Sequence, residues 1–259
     1  MTTDADWMQH PHLDGNPFYL QGNSIGFLLI HGFTATTTEV RPMAIFLNQL
    51  GYSVSVPLLP GHGTTPDDLN RMKWTDWAMC VEDSYQQLQA NCRVVFVGGE
   101  SMGGLLGLYL AKLHPEVAGI LLYAPALKVL RLGRARILSY IREFRWKEGG
   151  DQSMPWKGYR VVPLKATRQL YRLQRIIQKS LPQINQPTLI LQGRKDKSLD
   201  LRSSALLLER LGSKDKNLLW FEESQHCILL DREFDQVAYA SLAFIRRVLD
   251  KSHLQEVVN

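Results

Sequence analysis

Ser101 stands in Gly99-Glu100-Ser101-Met102-Gly103, the pattern G-x-S-x-G. An apolar run precedes it and a stretch of helical period, residues 102–114, follows. A strand that turns at once into a helix forces its corner residue into a strained backbone. The residues two positions away on either side must then be small. The corner pushes the serine hydroxyl outward, and the helix N-terminus behind it favours negative charge. The chemistry on offer is nucleophilic attack, but a hydroxyl is a weak nucleophile at neutral pH and needs a base.

Seven histidines are candidates for that base. His10 and His12 sit in a polar N-terminal stretch, His253 in a polar tail, and His114 ends a helical pattern before Pro115. His31, His62 and His226 each follow an apolar run, so they would share the carboxyl rim of a sheet with Ser101. His31 reads as a residue that orients its own loop. The base also needs a carboxylate to fix its tautomer and stabilise the imidazolium. Gln192-Gly193-Arg194-Lys195-Asp196 places Asp196 on the same rim, whereas Asp200 reads as a helix-start residue. The order Ser101…Asp196…His226 is the one expected for a serine on a strand–helix corner.

Acyl transfer also requires donors for an oxyanion. The backbone N–H of Met102, next to the serine, is one. The other falls to the loop His31-Gly32-Phe33-Thr34, where Gly32 lets the backbone approach and the Phe33 N–H can point at the site.

These groups need elements to hold them. Short apolar runs at 26–32, 52–59, 93–99, 119–125, 187–193 and 217–223 read as buried strands. Amphipathic stretches at 39–50, 75–91, 102–114, 199–211 and 234–250 read as helices between them. The alternation predicts an α/β protein: a mostly parallel twisted sheet with helices on both faces and the site at the strands' carboxyl ends. It breaks once. Residues 126–185 show no convincing strand, only helical patterns at 127–146 and 164–181 joined by KEGGDQSMPWKG. They predict a helical cap inserted into a core made of 1–125 and 186–259.

Composition sets the outer limits. The chain has 259 residues, 45% hydrophobic and 21% charged, and a net charge of +5. Residues 126–181 hold 14 of its 30 Lys and Arg but only 3 of its 25 Asp and Glu. No apolar run approaches the roughly 20 residues of a membrane span, and the first residues do not read as a signal peptide. Cys80, Cys92 and Cys227 form no metal or disulfide pattern, so a reduced cytoplasmic setting is expected. Cys227 reads as a small buried thiol. Nothing resembles a nucleic-acid recognition motif.

The motifs LLIHGFTAT, LLPGHGTTPDDL followed by WTDW, GGESMGG, QGRKDKSLD and SQHCILLD occur together and in order. On them the chain resembles the α/β-hydrolase family over nearly its whole length, and most of all its small bacterial carboxylesterases and monoacylglycerol lipases. The resemblance implies Ser101 as nucleophile, Asp196 as acid, His226 as base and the Phe33 and Met102 amides as oxyanion hole, with Gly32, Gly99 and Gly103 in support. It implies a two-step ester hydrolysis without metal or organic cofactor. The single-glycine oxyanion loop is linked in the family to short and medium acyl chains. Two departures stand out. Glu100 replaces a small or apolar residue before the serine, and a glycerol-binding acid has no clear counterpart near 152–162, Asp151 being the closest carboxylate. Thioesterase, acyltransferase and perhydrolase chemistry would use the same residues, and a binding protein could keep the fold without turnover. The basic cap reads as a solvated surface, an attractor of anionic substrates, or an interfacial face toward anionic lipid.

Overall fold

A computed structural model describes residues 7–130, 132–147 and 154–251, without the side chains of 134–136. In chain order the strands are β1 (Met8–Gln9), β2 (Phe18–Leu20), β3 (Ile25–Ile30), β4 (Ser53–Val56), β5 (Val94–Glu100), β6 (Gly119–Tyr123), β7 (Phe144–Trp146), β8 (Gly158–Tyr159), β9 (Val161–Pro163), β10 (Thr188–Gly193) and β11 (Lys216–Phe221). The α-helices are α1 (Arg41–Gln49), α2 (Pro66–Arg71), α3 (Trp74–Gln89), α4 (Met102–Leu113), α5 (Leu132–Leu138), α6 (Leu164–Ser180), α7 (Arg202–Arg210) and α8 (Phe234–Lys251).

Seven strands form one sheet in the order β11-β10-β6-β5-β3-β4-β2. All neighbours are parallel except β2, which runs antiparallel to β4 at the edge. The six strands expected from apolar runs and the five expected helices are present, with ends shifted by a few residues.

The central strands are buried on both faces, and their side chains alternate between two apolar layers. Leu28, Ile30, Val95, Val97, Ile120 and Leu122 enter one layer, with residues of α3, α4 and α6. Ile25, Phe27, Leu29, Val94, Phe96 and Leu121 enter the other, with α1 and α8. Phe27 stacks on Phe96 at 5.1 Å. Each such side chain contributes about 1.5–3 kcal/mol by leaving water. The carboxyl ends of β3, β5, β10 and β11 are thereby fixed, and the loops that leave them carry the site.

The segment between β6 and β10 departs from expectation. It contains three short strands, and only the second helical pattern is continuous, as α6. The first pattern forms a helix over Leu132–Leu138 and then becomes β7, paired with β9. The reason is local packing of period two. Phe144 and Trp146 both lie 5.5 Å from Trp7, which strand spacing allows and helix spacing does not. The N-terminal stretch also docks on this segment. Met8 pairs with Tyr159 in the β1–β8 ladder, and Lys157 Nζ donates to the carbonyls of Pro11 and Leu13. Asp151 and His253 lie outside the described residues.

Candidate active site

β5 ends at Glu100 and α4 begins at Met102, so Ser101 is the whole of the turn. Its φ is +56°, a region an L-residue enters only under constraint. The flanking glycines supply that constraint. A Cβ on Gly103 would stand 2.0 Å from the Ile30 carbonyl oxygen, and one on Gly99 would stand 2.3 Å from the Gly103 carbonyl carbon. The Ser101 N–H donates to Tyr123 O at 2.8 Å, and its carbonyl accepts from Ala126 at 3.0 Å. The corner is therefore locked at both ends.

Asp196 and His226 come from the loops after β10 and β11 and meet Ser101. His226 Nδ1–H donates to Asp196 Oδ2 at 2.7 Å. Its Nε2 is then left to accept the Ser101 hydroxyl at 3.0 Å. Asp196 is buried and fully engaged: it also accepts from Gln192 Nε2 at 3.0 Å and from the Ser198 and Leu199 amides at 2.7 and 3.2 Å. Burial pushes its pKa up, but the His226 charge and these donors outweigh burial, and it ends below its usual value. Burial lowers the pKa of His226, yet the Asp196 charge and hydrogen bond, joined by Glu39, leave it raised. The arrangement suits proton abstraction from Ser101 and storage of the proton beside Asp196.

The other histidines lie elsewhere in function. His31 donates from Nδ1 to Gly32 O at 2.9 Å and accepts the Leu59 amide at Nε2. Burial lowers its pKa to about 4, so it holds its own loop as a neutral ring. His62 is buried against His31 and Trp77, and burial holds it well below its usual value. His114 lies between Glu82 and Glu116. Asp200 pairs with Lys128 and Arg202 and accepts the Arg202 amide, as a helix-start residue does.

The loop after β3 brings Phe33 toward the corner. The Gly32 carbonyl accepts from His31 Nδ1 and from the Ala35 amide. Because a trans peptide sets C=O and N–H in opposite directions, the Phe33 N–H points away from those partners. Among the described residues neither this amide nor that of Met102 has a hydrogen-bond acceptor. Gly32 passes within reach of the serine: a Cβ there would stand 3.2 Å from Ser101 Cβ.

Sequence reasoning missed the charged layer behind this loop. Glu39 Oε2 accepts the Gly32 amide at 2.5 Å, and Glu39 Oε1 accepts Trp156 Nε1–H at 3.0 Å. Cys227 Sγ lies 3.7 Å from the same Oε1. Burial pushes the Cys227 thiol well up, which makes it inert. Lys147 Nζ donates to Thr34 Oγ1 at 2.6 Å and lies 4.4 Å over Trp156. Burial lowers its pKa to about 8. Glu100 is fully buried, its Oε2 has no hydrogen-bond partner among the described residues, and burial, joined by the Glu39 charge, raises its pKa well above the ordinary value. Burial thus favours the uncharged form of Glu100. Glu100 and Cys227 stand beside the nucleophile and base within quoted motifs, but Glu39, Lys147 and Trp156 belong to no spaced motif; only the fold brings them there.

The chain matches the family model described as serine aminopeptidase, S33, over residues 23–146 and 153–233. A thermostable monoacylglycerol lipase of Bacillus sp. (strain H-257) is 32% identical over 92% of this chain and 98% of its own length. A carboxylesterase of Bacillus subtilis (strain 168) is 30% identical over 90% and 96%. A solved structure from work on two metagenome-derived lipolytic enzymes, LipS and LipT, superposes with a TM-score of 0.86 at 32% identity, covering 90% of this chain and 98% of that one. The fold and the serine corner define an α/β-hydrolase. Within that class the chain belongs to the S33 family, and with its lipase and carboxylesterase relatives to the ester-cleaving serine hydrolases.

Proposed function

We propose that Ser101 is the nucleophile, His226 the general base and acid, Asp196 the residue that orients and charges it, and the Phe33 and Met102 amides the oxyanion donors. One observation carries this reading: the unbroken line Ser101 Oγ–His226–Asp196, at 3.0 and 2.7 Å, on a positive-φ corner. His226 takes the Ser101 proton as Oγ adds to the ester carbonyl. The tetrahedral oxyanion collapses, His226 protonates the departing alcohol, and water repeats the cycle on the acyl-enzyme.

The substrate is an ester of a short to medium acyl chain, with residues 126–185 as the cap that chooses among them. The relative named for monoacylglycerols makes a monoacylglycerol the first member of an ester panel. The basic face of the cap attracts anionic substrate or an anionic lipid surface. Arg168, Arg172 and Arg175 line one open cavity with Tyr140 and Tyr171, and Ile137 and Ile141 of the same segment are exposed. No helix among the described residues is long and apolar enough to cross a membrane. Three free thiols support a reducing, cytoplasmic setting. A fluorophosphonate should label the wild type at Ser101 and leave Ser101→Ala unlabelled. Labelling elsewhere, or undiminished ester turnover by that variant, would refute the assignment.

A further inference from the structure

Glu39 holds two parts of the molecule with one carboxylate. One oxygen takes the Gly32 amide, the peptide immediately before the one that carries the Phe33 N–H. The other takes the indole of Trp156, which belongs to the segment between β6 and β10. The fit is close: a Cβ on Gly32 would stand 2.8 Å from Glu39 Oε2. Gly32 thus lies close against both this carboxylate and the nucleophile.

The same stretch of the segment grips the loop at further points. Tyr159 N–H donates to Thr34 O at 2.8 Å, and Lys147 Nζ donates to Thr34 Oγ1. Thr36 Oγ1 donates to Lys157 O, and the Lys157 amide donates to Thr38 Oγ1, both at 3.0 Å. Thr34 itself has φ +67°, a strained value for a threonine that these bonds sustain. Glu39 is buried, and beside the Trp156 indole its Oε1 has only the weak S–H donor of Cys227, so either oxygen deprived of its N–H donor would carry a desolvation cost. Losing the Trp156 bond therefore weakens the hold on Gly32, and the reverse.

We infer that Glu39 is a positioning residue that couples the seating of the cap, through Trp156, to the aim of the Phe33 amide at the oxyanion. The coupling rests on the reading of Phe33 as an oxyanion donor. It makes the cap a part of the transition-state machinery as well as a wall of the substrate pocket. A donor aimed at the oxyanion acts in the transition state more than in the ground state, so the loss must fall on kcat.

The experiment is a double-mutant cycle with Glu39→Gln and Trp156→Phe on the full chain, with p-nitrophenyl butyrate and rates normalised by active-site titration. Glu39→Gln should lower kcat about 10- to 100-fold with KM changed less than about 2-fold. Trp156→Phe should lower kcat about 3- to 10-fold, and the double variant should be no slower than Glu39→Gln alone. Affinity for an alkylboronic acid should fall in parallel with kcat. Losses that multiply, or a Trp156→Phe loss confined to KM, would overturn the coupling. A general loss of structure lowers the titrated fraction and leaves kcat per active site unchanged, which would also overturn it. If Glu39→Gln does not fold, Trp156→Phe decides alone: wild-type kcat sinks the proposal. Failure of the wild type to react with fluorophosphonate would remove the reading underneath, and that result is independent of the cycle.

Discussion

The carboxyl edge of the sheet and the segment between β6 and β10 both bring charged groups to the site, yet they treat charge in opposite ways. At the sheet edge charges are matched. Asp196 accepts from four donors, Asp200 lies between Lys128 and Arg202, and Arg194 and Lys195 reach across to Glu222 and Glu223. In the segment, Arg168, Arg172 and Arg175 have no carboxylate within ion-pair distance among the described residues. Arg168 instead lies 4.9 Å over the Tyr140 ring. Matched charges fix geometry, which proton transfer demands. Unmatched charges leave a field outside the molecule, which steers ligands and fades with salt.

That contrast orders what mutations should do. Ser101→Ala should cost about 10⁶-fold in turnover of p-nitrophenyl esters, and a loss below about 10³-fold would mean that another group attacks. Asp196→Asn should cost about 10⁴-fold, because the wrong tautomer of His226 would face the serine. Next comes Gly103→Ala, where a methyl group meets the Ile30 carbonyl. Urea unfolding should show about 3 kcal/mol lost there, against less than about 0.5 kcal/mol for Arg172→Ala on the exposed face.

Acidity provides a finer comparison, since the two regions act on His226 with opposite sign. The base works only when neutral, and the Asp196 charge beside it outweighs burial and raises its pKa above the ordinary histidine value, so kcat/KM should fall as pH drops through that raised value. Asp196 and Glu39 raise the value and Lys147 lowers it. Glu39→Gln should therefore move the acid limb of the profile to lower pH, and Lys147→Met should move it to higher pH. Shifts in the same direction would refute the assignment. The smallest effect belongs to the arginines. Changing Arg168, Arg172 and Arg175 together to Ala should leave kcat for a neutral ester within about 2-fold and remove the salt dependence of KM for an anionic one.

The sheet was legible because its central strands are buried on both faces and read as continuous apolar runs, 93–99 above all, while β11, half-exposed at the edge, still carries an apolar run. The corner was legible because Gly99, Ser101 and Gly103 are a steric necessity written at fixed spacing. β2 was not, since Phe18–Leu20 is three residues at an edge and carries no run. The short strands between β6 and β10 were hidden for a related reason. Phe144 and Trp146 do alternate, but the charged residues around them dilute the pattern and their partner, Trp7, lies far away in sequence. Glu39 was visible only as the start of an amphipathic helix. Its pairing with Gly32 and Trp156 depends on three loops meeting, which no spacing records.

The β1–β8 ladder adds a mechanical corollary. With Met8 paired to Tyr159 and Trp7 stacked on Trp146, the earliest described residues act as a strap over the segment between β6 and β10. A strap that pins a long insertion near its middle divides one large loop into two smaller ones and reduces the disorder that the insertion can explore. Because Tyr159 also holds Thr34, slack in that strap would pass to the loop after β3 through the ladder. A bulky fusion ahead of Trp7, or a proteolytic nick between β1 and β2, would thus detune a reaction centre that neither touches.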